Sequence, residues 1–148
     1  MALILVVLLT ACGAVPQGLT VLHLTSMDAA YQVFASETML VVRDQPSWQM
    51  LWSQMTANQF PAPQLPAVDF TKDMVLVAAA GTRPSGGYSI SITDAVESSG
   101  SVTVNVTITS PGSNCGVPTV VTSPVDVATI ARQDGTVGFV VTRKTHNC

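Results

Sequence analysis

Apolar and polar side chains alternate along much of the chain, with the period of two residues that is typical of half-buried β-strands. The clearest example is the stretch from Tyr88 to Thr109, where Ile and Val alternate with Ser, Thr and Asn around a turn at Glu97–Gly100. This stretch predicts a hairpin with one apolar face and one hydroxyl-rich face. The run from Met74 to Ala80 is apolar throughout. It predicts a central strand that is buried on both faces.

Further strands are predicted on either side of this region. The upstream candidates are Leu19–Leu24, Tyr31–Ala35 and Met39–Arg43. Downstream, Val125–Ile130 and Val137–Thr142 predict a final hairpin, because the Asp-Gly step between them is a strong turn signal.

One segment has helical periodicity instead. Its apolar residues recur at i, i+3, i+4 and i+7 and are Trp48, Leu51, Trp52 and Met55. They predict an amphipathic helix whose apolar stripe packs on a sheet, with Asp44 or Gln45 as its cap and Pro46 in its first turn. The elements together predict a mostly β (α+β) fold. We expect an antiparallel β-sandwich or partly closed barrel of about eight short strands, with the helix packed on it.

The beginning of the chain resembles the leader of bacterial lipoproteins. An apolar run over Leu3–Leu9 is followed by Thr10-Ala11-Cys12-Gly13, which matches the lipobox pattern. We therefore expect 1–11 to be a signal peptide, 12–18 a lipidated N-terminus and linker, and 19–148 one domain. The resemblance implies that Cys12 carries lipid and holds the protein at a membrane of the cell envelope.

Two features of the leader leave alternatives open. No basic residue precedes the apolar run, so the natural start can lie upstream of Met1. The other interpretation is a buried apolar strand followed by a structural cysteine.

The residue after Cys12 bears on the location of the protein. Gly13 is not the Asp that retains some lipoproteins at the inner membrane, so the outer membrane, the periplasm or the cell surface is the expected location.

The remaining cysteines form an even pair if Cys12 is lipidated. Cys115 and Cys148 then predict one disulfide, as is common in exported proteins. A redox or metal-binding thiol is the weaker alternative, because there is no Cys-x-x-Cys motif and no basic residue beside Cys115.

Composition narrows the possible partners. The 148 residues carry a net charge of −3, and only 10% are charged, well below the roughly 25% of an average soluble domain. The basic residues are spread along the sequence without a cluster, so nucleic acid is not an expected partner.

Little in the sequence indicates catalysis. There are two histidines, His23 and His146, near opposite ends, and no Gly-x-Ser-x-Gly motif. The acidic residues Asp69, Asp73, Asp94 and Asp126 lie where strand edges and turns are predicted, and we expect them to be solvated. No catalytic residue and no cofactor is therefore predicted. If the two ends of the chain meet, His23 and His146 can share a copper or zinc ion.

One motif resembles a known family. The Gly-x-x-Pro-x-Gly-Gly-Tyr run at 81–88, together with Val68-Asp69-Phe70 and Thr122–Val125, is similar to the C-terminal domain of the PrcB protease-complex subunit family. The similarity extends over roughly residues 38–133. It implies a non-catalytic envelope subunit that supports another protein, and it defines no active site.

The glycine-rich run has two interpretations. It can present backbone N–H groups and side chains to a partner or an anion, through Arg83, Pro84, Gly86, Gly87 and Tyr88. Alternatively, it is a tight turn between neighbouring strands, since Gly and Pro are the usual turn residues.

Three functions follow as hypotheses. The leading one is a lipid-anchored, non-catalytic accessory or scaffold subunit of a larger envelope complex, associated with a protease or a surface layer. The second is a small envelope metalloprotein, for example in copper-dependent oxidant defence. The third is a small-ligand carrier with a pocket beneath Trp48 and Trp52.

Overall fold

The computed structural model describes residues 14–27 and 33–148, which form eight strands and one helix. The elements are β1 (Gln17–Leu19), β2 (Leu22–Met27), β3 (Thr38–Val42), α1 (Gln45–Met55), β4 (Asp73–Ala79), β5 (Ser89–Ser98), β6 (Ser101–Pro111), β7 (Val125–Ala131) and β8 (Thr136–His146). The strands form two four-stranded sheets, ordered β1-β5-β6-β8 and β2-β7-β4-β3. The fold is therefore the predicted β-sandwich, and its sheets do not close into a barrel. Within the described residues, no helix has the length and apolar character needed to cross a membrane.

The four strands in the middle of the two sheets carry most of the core. β4 and β7 are buried along nearly their whole length, because one face packs on the other sheet and the other face lies beneath α1. β5 and β6 bury only alternate residues, which is the pattern of a sheet with one solvated face. The predicted central strand is thus confirmed as β4, and the predicted hairpin as β5 and β6.

The helix forms where its periodicity predicts it. Asp44 is the N-cap: its carboxylate accepts hydrogen bonds from the backbone N of Ser47 at 2.8 Å and from the Ser47 hydroxyl at 2.9 Å. At the other end, Thr56 donates from both its backbone N and its hydroxyl to the carbonyl of Trp52. Trp48, Trp52 and Met55 are buried against the β4 and β7 face of the second sheet.

The first predicted strands are partly wrong. The stretch Leu19–Leu24 is two strands in different sheets, because the chain leaves the first sheet after β1 and enters the second as β2. Val33–Ala35 is turn and irregular structure rather than strand, and Tyr31 and Gln32 lie outside the described residues.

The predicted hairpin of the last two strands is wrong. β7 lies between β2 and β4, whereas β8 crosses to the other sheet and pairs with β6 in parallel. The burial patterns explain the separation: β7 is buried on both faces and fits a central position, while β8 has only alternate, partly buried residues and fits an edge. Gly135 does not form a hairpin turn. It allows the backbone to pass close to Gly100, because a Cβ at this position would overlap the carbonyl oxygen of Gly100.

Candidate functional site

A buried carboxylate joins the two sheets at one side of the sandwich. Asp126 lies on β7 with its side chain in the inner layer, and the residue is 3% exposed. Its Oδ2 accepts a hydrogen bond from the backbone N of Ile92 at 2.7 Å. That N–H is available because β5 has an irregularity between Ile92 and Asp94, and β1 pairs only with Ala95–Glu97. The expectation that Asp126 is solvated is therefore wrong.

His23 satisfies the second oxygen of this carboxylate. Its Nδ1 lies 3.0 Å from Oδ1 of Asp126, and its side chain is 48% exposed. A second irregularity, in β2 between His23 and Thr25, places His23 and Ser26 on the inner side of the sheet, opposite Ala128 and Asp126. The pair consists of a buried acid and an imidazole that is open to solvent on one side.

Two adjoining cavities make a groove along this side, which we call the His23 groove. One cavity, of about 400 Å³, is lined by residues that include His23, Ser26, Ser91 and Asp126. The other, of about 280 Å³, shares Ser26 and Ile90 with the first and extends to Tyr88. The groove runs between the edge strand β2 and the part of β5 that β1 leaves unpaired.

A histidine held by a carboxylate is a common arrangement for general-base chemistry. Such chemistry on an acyl substrate also needs a nucleophile within hydrogen-bond reach of the imidazole. Neither Ser26 nor Ser91, the serines that line the cavity beside His23, is hydrogen-bonded to it. The arrangement that the structure does show holds β2 to β7 and ties both strands to β5.

The glycine-rich run 81–88 packs tightly against neighbouring segments. Gly81 has a φ of +76° and lies against the backbone of Ser36 and Glu37, where a Cβ would come within 2.8 Å. The backbone N atoms of Arg83 and Gly86 donate to the carbonyls of Thr122 and Pro118. These amides are thus occupied within the protein, which is the behaviour of a structural turn.

The side chains of the same run are also engaged. The Arg83 guanidinium donates to the carbonyl of Ala80 at 2.7 Å and lies 5.5 Å from the ring centroid of Tyr88. Of the residues predicted to bind a partner, Pro84 and Gly87 are the exposed ones. Partner binding through this run stays a prediction.

The two remaining cysteines lie together at the end of β8. Cys115 and Cys148 form a disulfide with a Cα–Cα distance of 5.0 Å. The backbone N of Gly112 donates to the carbonyl of His146 at 2.7 Å, so the loop after β6 is held to the C-terminal segment at Gly112 as well as at Cys115.

The two histidines are placed apart in the fold. His23 lies on β2 of one sheet and His146 at the end of β8 in the other, and no described contact joins them. No group of three or more His, Cys, Asp or Glu that could hold a metal occurs in residues 14–27 and 33–148. The copper or zinc site stays a prediction. Cys12, the predicted lipidation site, lies outside the described residues.

The tryptophans have a packing role. Both indole N–H groups donate to carbonyls of the proline-rich connection, Trp48 to Pro66 at 3.0 Å and Trp52 to Pro63 at 3.2 Å. Neither residue lines the two cavities of the His23 groove. The ligand pocket expected beneath them therefore has no counterpart among these cavities.

The opposite side of the sandwich gathers basic residues that are far apart in the sequence. The edges of β3 and β8 face one another there. They are linked at one end by Arg143 and Glu37 at 2.8 Å and at the other by Arg43 and the carbonyl of Gly135 at 3.1 Å. Arg132 lies beside Arg43, to whose carbonyl its Nη1 donates. The sequence gives no sign of this cluster, because it forms only when β8 crosses to the first sheet.

The comparisons with known proteins agree with part of the sequence interpretation. The model of the PrcB C-terminal family matches residues 74–131. No match was found among the curated proteins or among the solved structures. The matched segment runs from β4 to β7 and supplies the two middle strands of each sheet, β4 with β7 and β5 with β6. Residues 74–131 are therefore similar to the PrcB C-terminal domain.

Proposed function

We propose that this protein is a lipid-anchored, non-catalytic accessory subunit of a bacterial cell-envelope complex that contains a protease or a surface-layer protein. The observation that carries the proposal is the PrcB C-terminal match over 74–131, which indicates an accessory subunit of a protease complex and hence a protein partner. The lipid anchor rests on the lipobox-like run that ends at Cys12 and Gly13.

The architecture is consistent with a supporting role. The matched strands form the interior of both sheets, and the strands outside the match, β1, β2, β3 and β8, form all four sheet edges. Edge strands are the parts of a sheet that can pair with another chain. The shared interior thus provides a rigid support, and the edges provide the surfaces that can differ between subunits.

The principal residues are held in structural contacts. Asp126 bonds to both sheets, Arg83 bonds within its own turn, and the disulfide secures the C-terminal segment. A protein whose role is to be held in place at a membrane needs a rigid fold of this kind. It does not need a nucleophile that is hydrogen-bonded to a base.

Affinity purification from native membranes tests the proposal. The full chain, with a tag after Cys148, is extracted in mild detergent, captured and analysed by mass spectrometry. We expect one larger envelope protein to be recovered in a fixed ratio to the chain. The Cys12→Ser variant serves as the control, because a partner that depends on membrane tethering is depleted when the anchor is removed. Recovery of the chain alone under conditions that preserve other envelope complexes would contradict the proposal.

A further inference from the structure

The strand β8 has a long free edge. It spans Thr136–His146, and among the described strands it is the outermost one of its sheet and pairs with β6. Natural proteins usually shorten, bend or cover such an edge, since its free backbone groups can pair with another strand. Within residues 14–27 and 33–148, no strand covers this one.

The hydrogen-bond pattern shows which backbone groups are free. His146 pairs with Pro111 and accepts a hydrogen bond from the backbone N of Gly112, so its polar groups point towards β6. Alternate residues of a strand direct their N–H and C=O to the same neighbour. The residues that direct these groups away from β6 are therefore Val137, Phe139, Val141, Arg143 and Thr145.

The apolar layer beneath this edge is incomplete. The inward hydrophobic side chains in the middle of β5 and β6 are at most 6% exposed, as at Ile90 and Val106. Those of β8, which are Val137, Phe139 and Val141, are only partly buried, as are Met39 and Val41 on the facing strand β3. A cavity of about 700 Å³ opens between the strands and is lined by Val41, Val137 and Arg43, among others. We call this region the β3/β8 opening.

The opening carries positive charge that favours an acidic ligand. The side chain of Arg43 makes one hydrogen bond, to the carbonyl of Gly135, and its Nε is buried without a partner. No acid pairs with this side chain in the described part of the chain. Arg132 and Arg143 lie beside the opening, and their acidic partners are Asp134, which is 95% exposed, and Glu37. An unpaired guanidinium in a partly buried cleft is well suited to a carboxylate, which it can bind through two parallel hydrogen bonds.

We propose that the β3/β8 opening is a strand-addition site, which takes an extended acidic segment of the partner protein along the free edge of β8. The segment pairs through its backbone with the outward groups of β8, covers Val137, Phe139 and Val141 with apolar side chains, and places a carboxylate on Arg43. This inference rests on the proposed function, because it specifies how that partner is held.

Amide hydrogen exchange tests the site directly. The probe is a short acetylated peptide of alternating Val and Glu, added to the mature lipoprotein in detergent micelles and followed by NMR. At saturation we expect the amides of Phe139 and Val141 to exchange about tenfold more slowly, while those of Gly138 and Val140, which already face β6, change little. A peptide of the same length with Lys in place of Glu is expected to have no effect.

The contribution of charge is tested with matched variants. Arg43→Gln removes the unpaired guanidinium and is expected to weaken binding of the Val/Glu peptide about tenfold. The control is Lys72→Gln, which removes a cation whose side chain is 78% exposed and paired with Asp69, outside the opening. It is expected to leave the affinity unchanged. Equal losses in the two variants, or protection of β2 and β5 amides in place of β8, would overturn the assignment.

A second pair of variants separates this inference from the proposed function. Arg143→Ala and Arg143→Pro both lose the ion pair with Glu37, but only the proline also removes an outward N–H of β8. In native membranes, Arg143→Pro is expected to lose most of the partner that Arg143→Ala retains. If both variants retain the partner, the free edge is not the contact, and the accessory role stands. If the unmodified chain has no partner, the accessory role itself fails.

Discussion

Oδ2 of Asp126 accepts a hydrogen bond from the backbone N of Ile92 at 2.7 Å and so joins a central strand of one sheet to a central strand of the other. Its Oδ1 lies 3.0 Å from Nδ1 of His23. One carboxylate therefore satisfies a backbone donor that the end of β1 leaves unpaired and also holds the edge strand β2. The PrcB-like segment contains both Asp126 and Ile92, so this link belongs to the matched interior of the sandwich.

Replacement of Asp126 by alanine is expected to destabilise the fold. The change leaves the backbone N of Ile92 buried without an acceptor, and such a loss lowers the free energy of unfolding by about 2 kcal/mol. Urea unfolding followed by tryptophan fluorescence measures it. Asp94→Ala is the matched control, because Asp94 lies on the exposed face of β5 and bonds only to exposed side chains. A loss in Asp126→Ala no larger than in the control would remove Asp126 from its proposed role.

Removal of the disulfide is expected to lower stability mainly through the unfolded state. The bond links residues separated by 33 positions, and a loop of that length corresponds to about 3–4 kcal/mol in the chain-entropy model. The double variant Cys115→Ala/Cys148→Ala, compared with the oxidised protein by urea unfolding, gives the value. The reduced wild-type chain should behave like the double variant. Equal stability of the oxidised and reduced proteins would contradict the account of this bond.

The cap of α1 predicts a specific dependence on pH. The backbone N–H of Ser47, and then its hydroxyl, lower the pKa of the Asp44 carboxyl below its usual value of 3.8. A lowered pKa stabilises the folded state above the usual value, and this contribution is lost as the pH falls through the lowered one. Asn also caps helices but does not titrate.

The Asp44→Asn variant therefore isolates this contribution. Its free energy of unfolding should be close to that of the wild type at neutral pH. Below about pH 4, the wild-type protein should lose stability more steeply than the variant, because only Asp44 becomes protonated there. Asp69, whose pKa is also lowered, chiefly by the hydroxyl of Thr71, titrates in both proteins and cancels in the comparison. Parallel stability curves down to pH 2–3 would show that Asp44 does not contribute.

The proposed lipid anchor at Cys12 predicts a simple fractionation result. Cys12→Ser should move the protein from the membrane to the soluble fraction and abolish labelling by a radioactive fatty acid. The double variant Cys115→Ser/Cys148→Ser is the control, since it replaces the other two cysteines and keeps Cys12, the predicted lipidation site, and it should stay with the membrane. A Cys12→Ser protein that remains bound and unlabelled would show that something other than lipid holds the chain there.

Features with a strong local pattern could be predicted from the sequence. The β5–β6 hairpin follows from the alternation of Ile and Val with Ser and Thr, and α1 follows from the spacing of Trp48, Trp52 and Met55. The central position of β4 follows from a short apolar run that has no polar face. In each case the residues that decide the structure are close together in the chain.

Features that depend on long-range pairing could not be predicted. The Asp-Gly step before β8 resembles a hairpin turn, but β7 is apolar on both faces and takes a central place, so β8 joins the other sheet. The basic cluster of Arg43, Arg132 and Arg143 exists only as a result of that crossover. The sequence did contain a signal for the burial of Asp126. It is the single acidic residue in the run Val125–Ile130, and a strand that is buried on both faces has no face exposed to solvent.

The central claim is that this protein works as a subunit and not alone. Its most direct test is the size of the native particle that contains the chain after mild detergent extraction, measured by blue-native electrophoresis with detection of the tagged protein. The account predicts a single species much larger than one chain in its micelle, and a shift to a smaller one in Arg143→Pro but not in Arg143→Ala. A wild-type chain that migrates only as a monomer in its micelle would contradict the account.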